Sequence, residues 1–170
     1  MMESISLRDQ PFDPYAELSA FTARLGEERT RYGAQSHFIG TMRDVNEGDP
    51  VSTLWLEHYP GMTEREIARI VEEERQQLHF GPALVIHRIG KLEPGEPIVL
   101  IALFSPHRRA ALDGTQRIIE RLKHEAPFWK KECTPDGARW SHPTRKVKMR
   151  GMSTSGDASR IMRSHKTPSL

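Results

Sequence analysis

Apolar positions along the chain follow two rhythms, one with a helical period and one with a strand period. Asp13-Pro14 reads as an N-cap followed by proline at the first helical position, with Leu18, Phe21 and Leu25 as the stripe of a helix ending near Leu25. Tyr32 to Met42 alternates weakly and predicts a strand. Arg43 to Pro50, RDVNEGDP, is a polar loop with strong turn chemistry. Ser52 to Tyr59 predicts a second strand with Leu54 and Leu56 on one face. Thr63 to Glu66, T-E-R-E, reads as a capping box, and the helix behind it runs to about Leu78 on Ile67, Ile70, Val71 and Leu78. Its EEER run reads as a solvated outer face. Pro82 to Ile89 is a strand, Leu92 to Glu96 a turn, and Pro97 to Phe104 a near-continuous apolar strand, expected to be central and covered on both faces.

The second half repeats the alternation of elements. Ser105-Pro106 predicts a helix start, with serine as cap, and Leu112, Ile118, Ile119 and Leu122 as the apolar set. That helix stops before Pro127. Phe128 to Thr134 can form a strand, Pro135-Asp136-Gly137 a turn, and Ala138 to Ser141 a returning partner. Helices and strands in this order predict an α+β fold with a mixed sheet. Apolar residues thin out from His142 onward, so residues 1–142 are read as one domain and 143–170 as a basic tail.

Composition narrows the classes of function. With 170 residues, 36% of them apolar and 28% charged, the chain can bury one real core. The longest apolar run, Ile98 to Phe104, is strand-sized, and Met1 to Gln10 lacks the order of a signal peptide. The one cysteine, Cys133, excludes an internal disulfide, so a cytoplasmic, reducing setting is expected. A net charge of +2 hides a polarity: residues 1–100 carry 10 basic and 17 acidic side chains, residues 101–170 carry 15 basic and 6 acidic. Five of the seven lysines fall between Lys123 and Lys148, which raises the prospect of an anion site in the second half.

Three groups of residues could carry chemistry. His107 and Arg108 follow a buried strand at a helix start, where free backbone N–H groups favour an anion; simple solvation of the two cations is the plainer alternative. Lys123 lies four residues after Ile119 on one helical row, so its amine should emerge near the helix end. There it can serve the helix dipole or, if its pKa is lowered, act as an acid or base. In Phe128-Trp129-Lys130-Lys131-Glu132, a strand puts Lys130 on the face of Phe128 and Lys131 on that of Trp129. Nothing resembles HExxH, a Cys/His cluster, a P-loop or GxGxxG, so neither a metal nor a nucleotide is expected.

The order of short blocks is more specific than any of them alone. Leu56-Glu57-His58-Tyr59-Pro60-Gly61-Met62 is followed by His87-Arg88-Ile89-Gly90, Pro94-Gly95-Glu96, Ser105-Pro106-His107-Arg108, Leu122-Lys123 and Pro127-Phe128-Trp129-Lys130-Lys131-Glu132. This series resembles the large subunit of molybdopterin synthases, and Phe38 to Arg43, FIGTMR, looks like that family's early strand and active-site arginine. The resemblance spans roughly residues 30–140.

The resemblance implies an α/β hammerhead domain, a homodimer within a heterotetramer, and a small ubiquitin-like partner whose C-terminal Gly-Gly carries a thiocarboxylate. It implies sulfur transfer to cyclic pyranopterin monophosphate, with no cofactor or metal needed at this step. Residue by residue it points to Lys123 and Lys130 as catalytic, to Arg43, His107 and Arg108 as substrate-binding, and to Phe38, Ile119 and Lys131 as the pocket for the partner's tail. Thr41 stands where relatives often carry lysine, and Leu112 where phenylalanine is common, a change expected within the core. Residues 143–170 match poorly; Arg145, Lys146, Lys148 and Arg150 correspond to a basic segment that can cover the active site. A non-catalytic module for a ubiquitin-like protein and a small nucleic-acid-binding domain are the alternatives that the residues themselves leave open.

Overall fold

One long strand alternates its side chains between two helical layers, and the fold is arranged around it. In the computed structural model, which describes residues 3–141, this strand is Pro97–Ser105 (β8). Val99, Ile101 and Leu103 face one apolar cluster. Leu100, Ala102 and Phe104 face the other. The chain reaches it through β1 (Glu3–Arg8), α1 (Pro14–Arg24), a 3₁₀ turn (Gly26–Arg31), β2 (Ala34–Thr41), β3 (Val45–Asn46), β4 (Asp49–Pro50), β5 (Thr53–His58), α2 (Met62–Leu78), β6 (Ala83–Arg88) and β7 (Gly90–Leu92). Beyond it come α3 (Arg108–Glu125), β9 (Phe128–Thr134) and β10 (Gly137–Ser141). The tail expected over 143–170, with Arg145, Lys146, Lys148 and Arg150 among its basic residues, lies outside the described residues.

The first sheet has the order β1-β6-β8-β2, and the second β10-β9-β5-β7. Within these sheets β1 and β6 run parallel while every other pairing is antiparallel. The expected mixed α+β architecture is therefore present. α1 packs Phe21 against one face of the first sheet. On the other face, α2 brings Ile67, Ile70 and Val71, and α3 brings Ile118 and Leu122. Each such side chain contributes about 1.5–3 kcal/mol through burial. Met42, Val51, Leu54, Leu56 and Leu92 form a third cluster beside the second sheet.

Four local expectations are corrected. Thr63 lies inside α2 and Gly61 is the N-cap. Glu64 accepts the Gly61 N–H at 2.8 Å, while the Thr63 hydroxyl accepts from Tyr59 and donates to the Pro127 carbonyl. Ser105 ends β8, and His107 takes the N-cap position of α3. Leu112 is 59% exposed and so is no core residue; it points away from the sheet. The loop at 43–50 contains the small β3–β4 hairpin, closed by Glu47 and Gly48, both at positive φ as a two-residue hairpin turn requires.

The acidic run of α2 is also more than a solvated face. Glu74 is 2% exposed and meets Arg117 at 2.7 Å and Arg121 at 2.9 Å. Glu73 takes Arg69 and Arg121, and Glu125 takes Arg69 and Arg121, so the charges lock α2 to α3. Hydrogen bonds from Arg121 chiefly, and from Arg69, hold the Glu125 carboxyl down to about 2 against the opposing effect of burial. A depressed carboxylate stabilises the fold above its unfolded pKa of about 4.3 and loses that contribution as pH falls through the folded value. The unfolding midpoint should hold from pH 7 to 5 and fall below about 4.5. The Arg121→Leu protein, followed by circular dichroism, should show a shallower decline.

Gly114 marks where α3 comes closest to the sheet. A Cβ there would stand 2.7 Å from Leu103 Cδ1 and 3.1 Å from Phe80 Cδ1. Gly114→Val should destabilise by about 1–3 kcal/mol through overpacking, read as a lower urea midpoint with an unchanged slope.

Candidate active site

The C-terminal end of α3, the far end of β2 and the adjoining face of the second sheet enclose a cavity of about 550 Å³. Each wall follows from local sequence. Gly40 and Thr41 shift the register of β2 against β8, and the absence of a Cβ at Gly40 leaves room for the Phe38 ring and for Val99. Ile119 and Lys123, one helical turn apart on α3, supply an apolar wall and an amine. β5 presents Leu54 and Leu56, and β9 presents Phe128 and Lys130 on the same side.

A smaller cavity of about 200 Å³ adjoins the first and takes in Arg43, Asn46 and Glu132. Leu54, Ile98 and Lys130 line both. Lys130 therefore stands at the junction between a mainly apolar space and a more polar one.

The two lysines differ in what holds them. Lys130 pairs with the carboxylate of Glu132, which is 3% exposed and also accepts from Asn46 at 2.8 Å and Arg139 at 3.1 Å. Burial is the largest single influence on Glu132 and works to raise its pKa. The hydrogen bonds from Lys130, Asn46 and Arg139 together outweigh it, and the group stays below the usual carboxylate range. Glu132 thus remains an anion that fixes Lys130. Lys123 is exposed and makes no hydrogen bond or ion pair among the described residues. Its amine is available to whatever enters.

Of the residues expected in the site, Phe38, Ile119, Lys123 and Lys130 line the larger cavity, and Arg43 lines the smaller. Three stand elsewhere. His107 and Arg108 are at the opposite end of α3 from Lys123, roughly 22 Å away along the helix axis. Lys131 alternates to the other face of β9, where its amine lies 5.3 Å from the centre of the Trp140 ring.

Reasoning from sequence missed Glu132, Asn46 and His87. Glu132 was visible only as the last letter of a strand block, and its partner Asn46 is 86 positions away. His87 lines the larger cavity. Its ring stacks on Phe128 with centroids 4.0 Å apart and planes at 16°. Its Nδ1 lies 2.7 Å from the Arg88 carbonyl oxygen. Removal from bulk water pushes its pKa down to about 4, partly offset by that hydrogen bond, so the ring is neutral at pH 7.

Comparison with known proteins supplies the context for this geometry. A molybdopterin synthase catalytic subunit from Ralstonia nicotianae is 49% identical over 82% of this chain and 77% of its own length. Two solved structures share the fold. The molybdopterin biosynthesis MoaE protein from Burkholderia ambifaria has a TM-score of 0.70 at 38% identity, covering 87% of this chain and 94% of that one. The molybdopterin synthase from Staphylococcus aureus has a TM-score of 0.70 at 31% identity, covering 79% and 94%. The profile described as MoaE protein matches residues 7–125, and the chain belongs to that family.

Proposed function

We propose that this chain acts as the catalytic subunit of a molybdopterin synthase. It is a sulfurtransferase that moves sulfur from a thiocarboxylated ubiquitin-like carrier to cyclic pyranopterin monophosphate, forming the dithiolene of molybdopterin. The observation that carries this reading is the shared cavity of Lys123 and Lys130, closed by apolar walls.

The chemistry asks for three things. An extended Gly-Gly tail needs a narrow apolar passage, which Phe38 and Ile119 offer; Lys131, on the opposite strand face, is left out of that passage. Negative charge developing as sulfur adds and oxygen departs needs fixed cations, the part of Lys130 and Arg43. A proton must reach the departing oxygen, and Lys123 is the group free to deliver it.

His107 and Arg108 fit the phosphate role only at the cavity of another copy, because the length of α3 keeps them from the lysines of their own chain. A homodimer flanked by two carriers supplies that copy. The enzyme then works in the cytoplasm, with residues 1–142 as the catalytic domain and 143–170 as a basic tail. Among the described residues no helix is long and apolar enough to cross a membrane.

The test is reconstitution. The purified chain, cyclic pyranopterin monophosphate and a thiocarboxylated carrier should yield dithiolene pterin by mass spectrometry. A stable complex with a cognate carrier but no product would leave a binding module and end the catalytic reading.

A further inference from the structure

His87 occupies the wall of the lysine cavity, yet sulfur transfer as described above gives it no part. Its geometry defines one tautomer. The Arg88 carbonyl oxygen, 2.7 Å from Nδ1, can only accept, so Nδ1 carries the proton. That carbonyl is itself well placed, since the Arg88 side chain is buried and donates to the Lys91 carbonyl at 2.7 Å. The neutral ring then holds a lone pair at Nε2. Among the described residues Nε2 has no hydrogen-bond partner, and it is not one of the buried polar atoms left unsatisfied. It therefore reaches accessible space, which at this position is the cavity. The stack on Phe128 fixes the plane of the ring.

The charged groups around the same space are Glu120, Lys123 and Lys130. Both lysines favour an anion. Nε2 does the opposite: an ionised cyclic phosphate diester has no proton to give it and is repelled by the lone pair. It suits a ligand edge bearing N–H or O–H groups. A pterin has such an edge, at the end of the molecule away from the phosphate.

We propose that His87 is a substrate-positioning residue, its Nε2 accepting a hydrogen bond from the donor edge of the pterin while the cations take the phosphate. This rests on the proposed sulfur transfer and adds the orientation of the substrate. The acceptor at one end and the cations at the other allow one polarity of binding and reject the reverse.

The experiment uses the chain in complex with its carrier and three variants, with melting temperature and carrier binding checked for each. His87→Phe keeps a flat ring on Phe128 and removes both nitrogens. His87→Asn places an amide near Nδ1, and His87→Gln places one near Nε2. The dissociation constant of cyclic pyranopterin monophosphate is measured by calorimetry with an unthiocarboxylated carrier, and kcat by turnover at saturating substrate.

His87→Phe and His87→Asn should each weaken substrate binding about tenfold or more, as expected for a lost hydrogen bond in a shielded site, with kcat within about threefold. His87→Gln should restore binding to within about threefold of wild type. Rescue by Asn and not by Gln would assign the histidine to the Arg88 carbonyl alone and overturn the proposal. Equal binding in all three would do the same. A fall in kcat at unchanged affinity would give Nε2 to a lysine instead, and would also overturn it. If the wild-type complex neither binds nor converts the substrate, the functional reading itself falls. If it does both while the variants behave otherwise than expected, only the role of His87 falls.

Discussion

Lys123→Ala should fold, bind the carrier and bind the pterin, yet lose turnover by about two to four orders of magnitude, the range typical of a deleted general acid. The residue sits on the last turn of α3 beside Ile119, where truncation breaks no hydrogen bond or ion pair among the described residues. Lys123→Arg separates charge from proton transfer. It keeps a cation in place but replaces the amine with a guanidinium that does not give up its proton near neutrality. Both variants should be inactive if Lys123 moves a proton. An arginine variant with more than about a tenth of wild-type kcat would reduce the role to electrostatics. Lys130→Ala should cost stability as well, because Glu132 would be left buried with fewer partners.

The second large effect concerns the distance between the ends of α3. Arg108→Ala and Lys123→Ala should each be nearly inactive as pure homodimers. If the pair at one end of the helix serves the cavity of the other copy, mixing the two variants rebuilds intact sites. At equal proportions half of the dimers are mixed, and each mixed dimer holds one site with both residues present and one with neither. Activity should recover to about a quarter of wild type. Subunit exchange is started by co-refolding and monitored with differently tagged chains. Mixtures that stay at the level of the pure variants would place Arg108 and Lys123 in a single chain's function, or give Arg108 no catalytic part.

Much of this was legible in the chain. The β8 strand announced itself by an unbroken apolar run, because a strand covered on both faces has no polar face to show. The alternation Phe128, Lys130 against Trp129, Lys131 assigned the faces of β9 in advance. β1 was missed because a short edge strand with only Ile5 and Leu7 packed inward has little pattern to offer, and its partner β6 lies 80 positions away. The buried charges of α2 were misread for a related reason. Glu74 looks like its neighbours in sequence, and only the approach of Arg117 and Arg121 from α3 distinguishes it. The ordered blocks pointed to the cavity residues, but not to Glu132 or His87. Those two are defined by what they touch: a carboxylate with three donors, and a ring between a carbonyl and a phenyl face.

β9 carries its lysines in tandem, one to each face. Slipping its pairing by one residue would put Lys131 where Lys130 stands, lysine for lysine. The flanking residues would not match. Trp129 would replace Phe128 against the His87 ring, and Cys133 would replace Glu132 beside the amine. The correct alignment of this strand is thus specified by Phe128 and Glu132, and a search for what keeps β9 from mispairing should begin with those two residues.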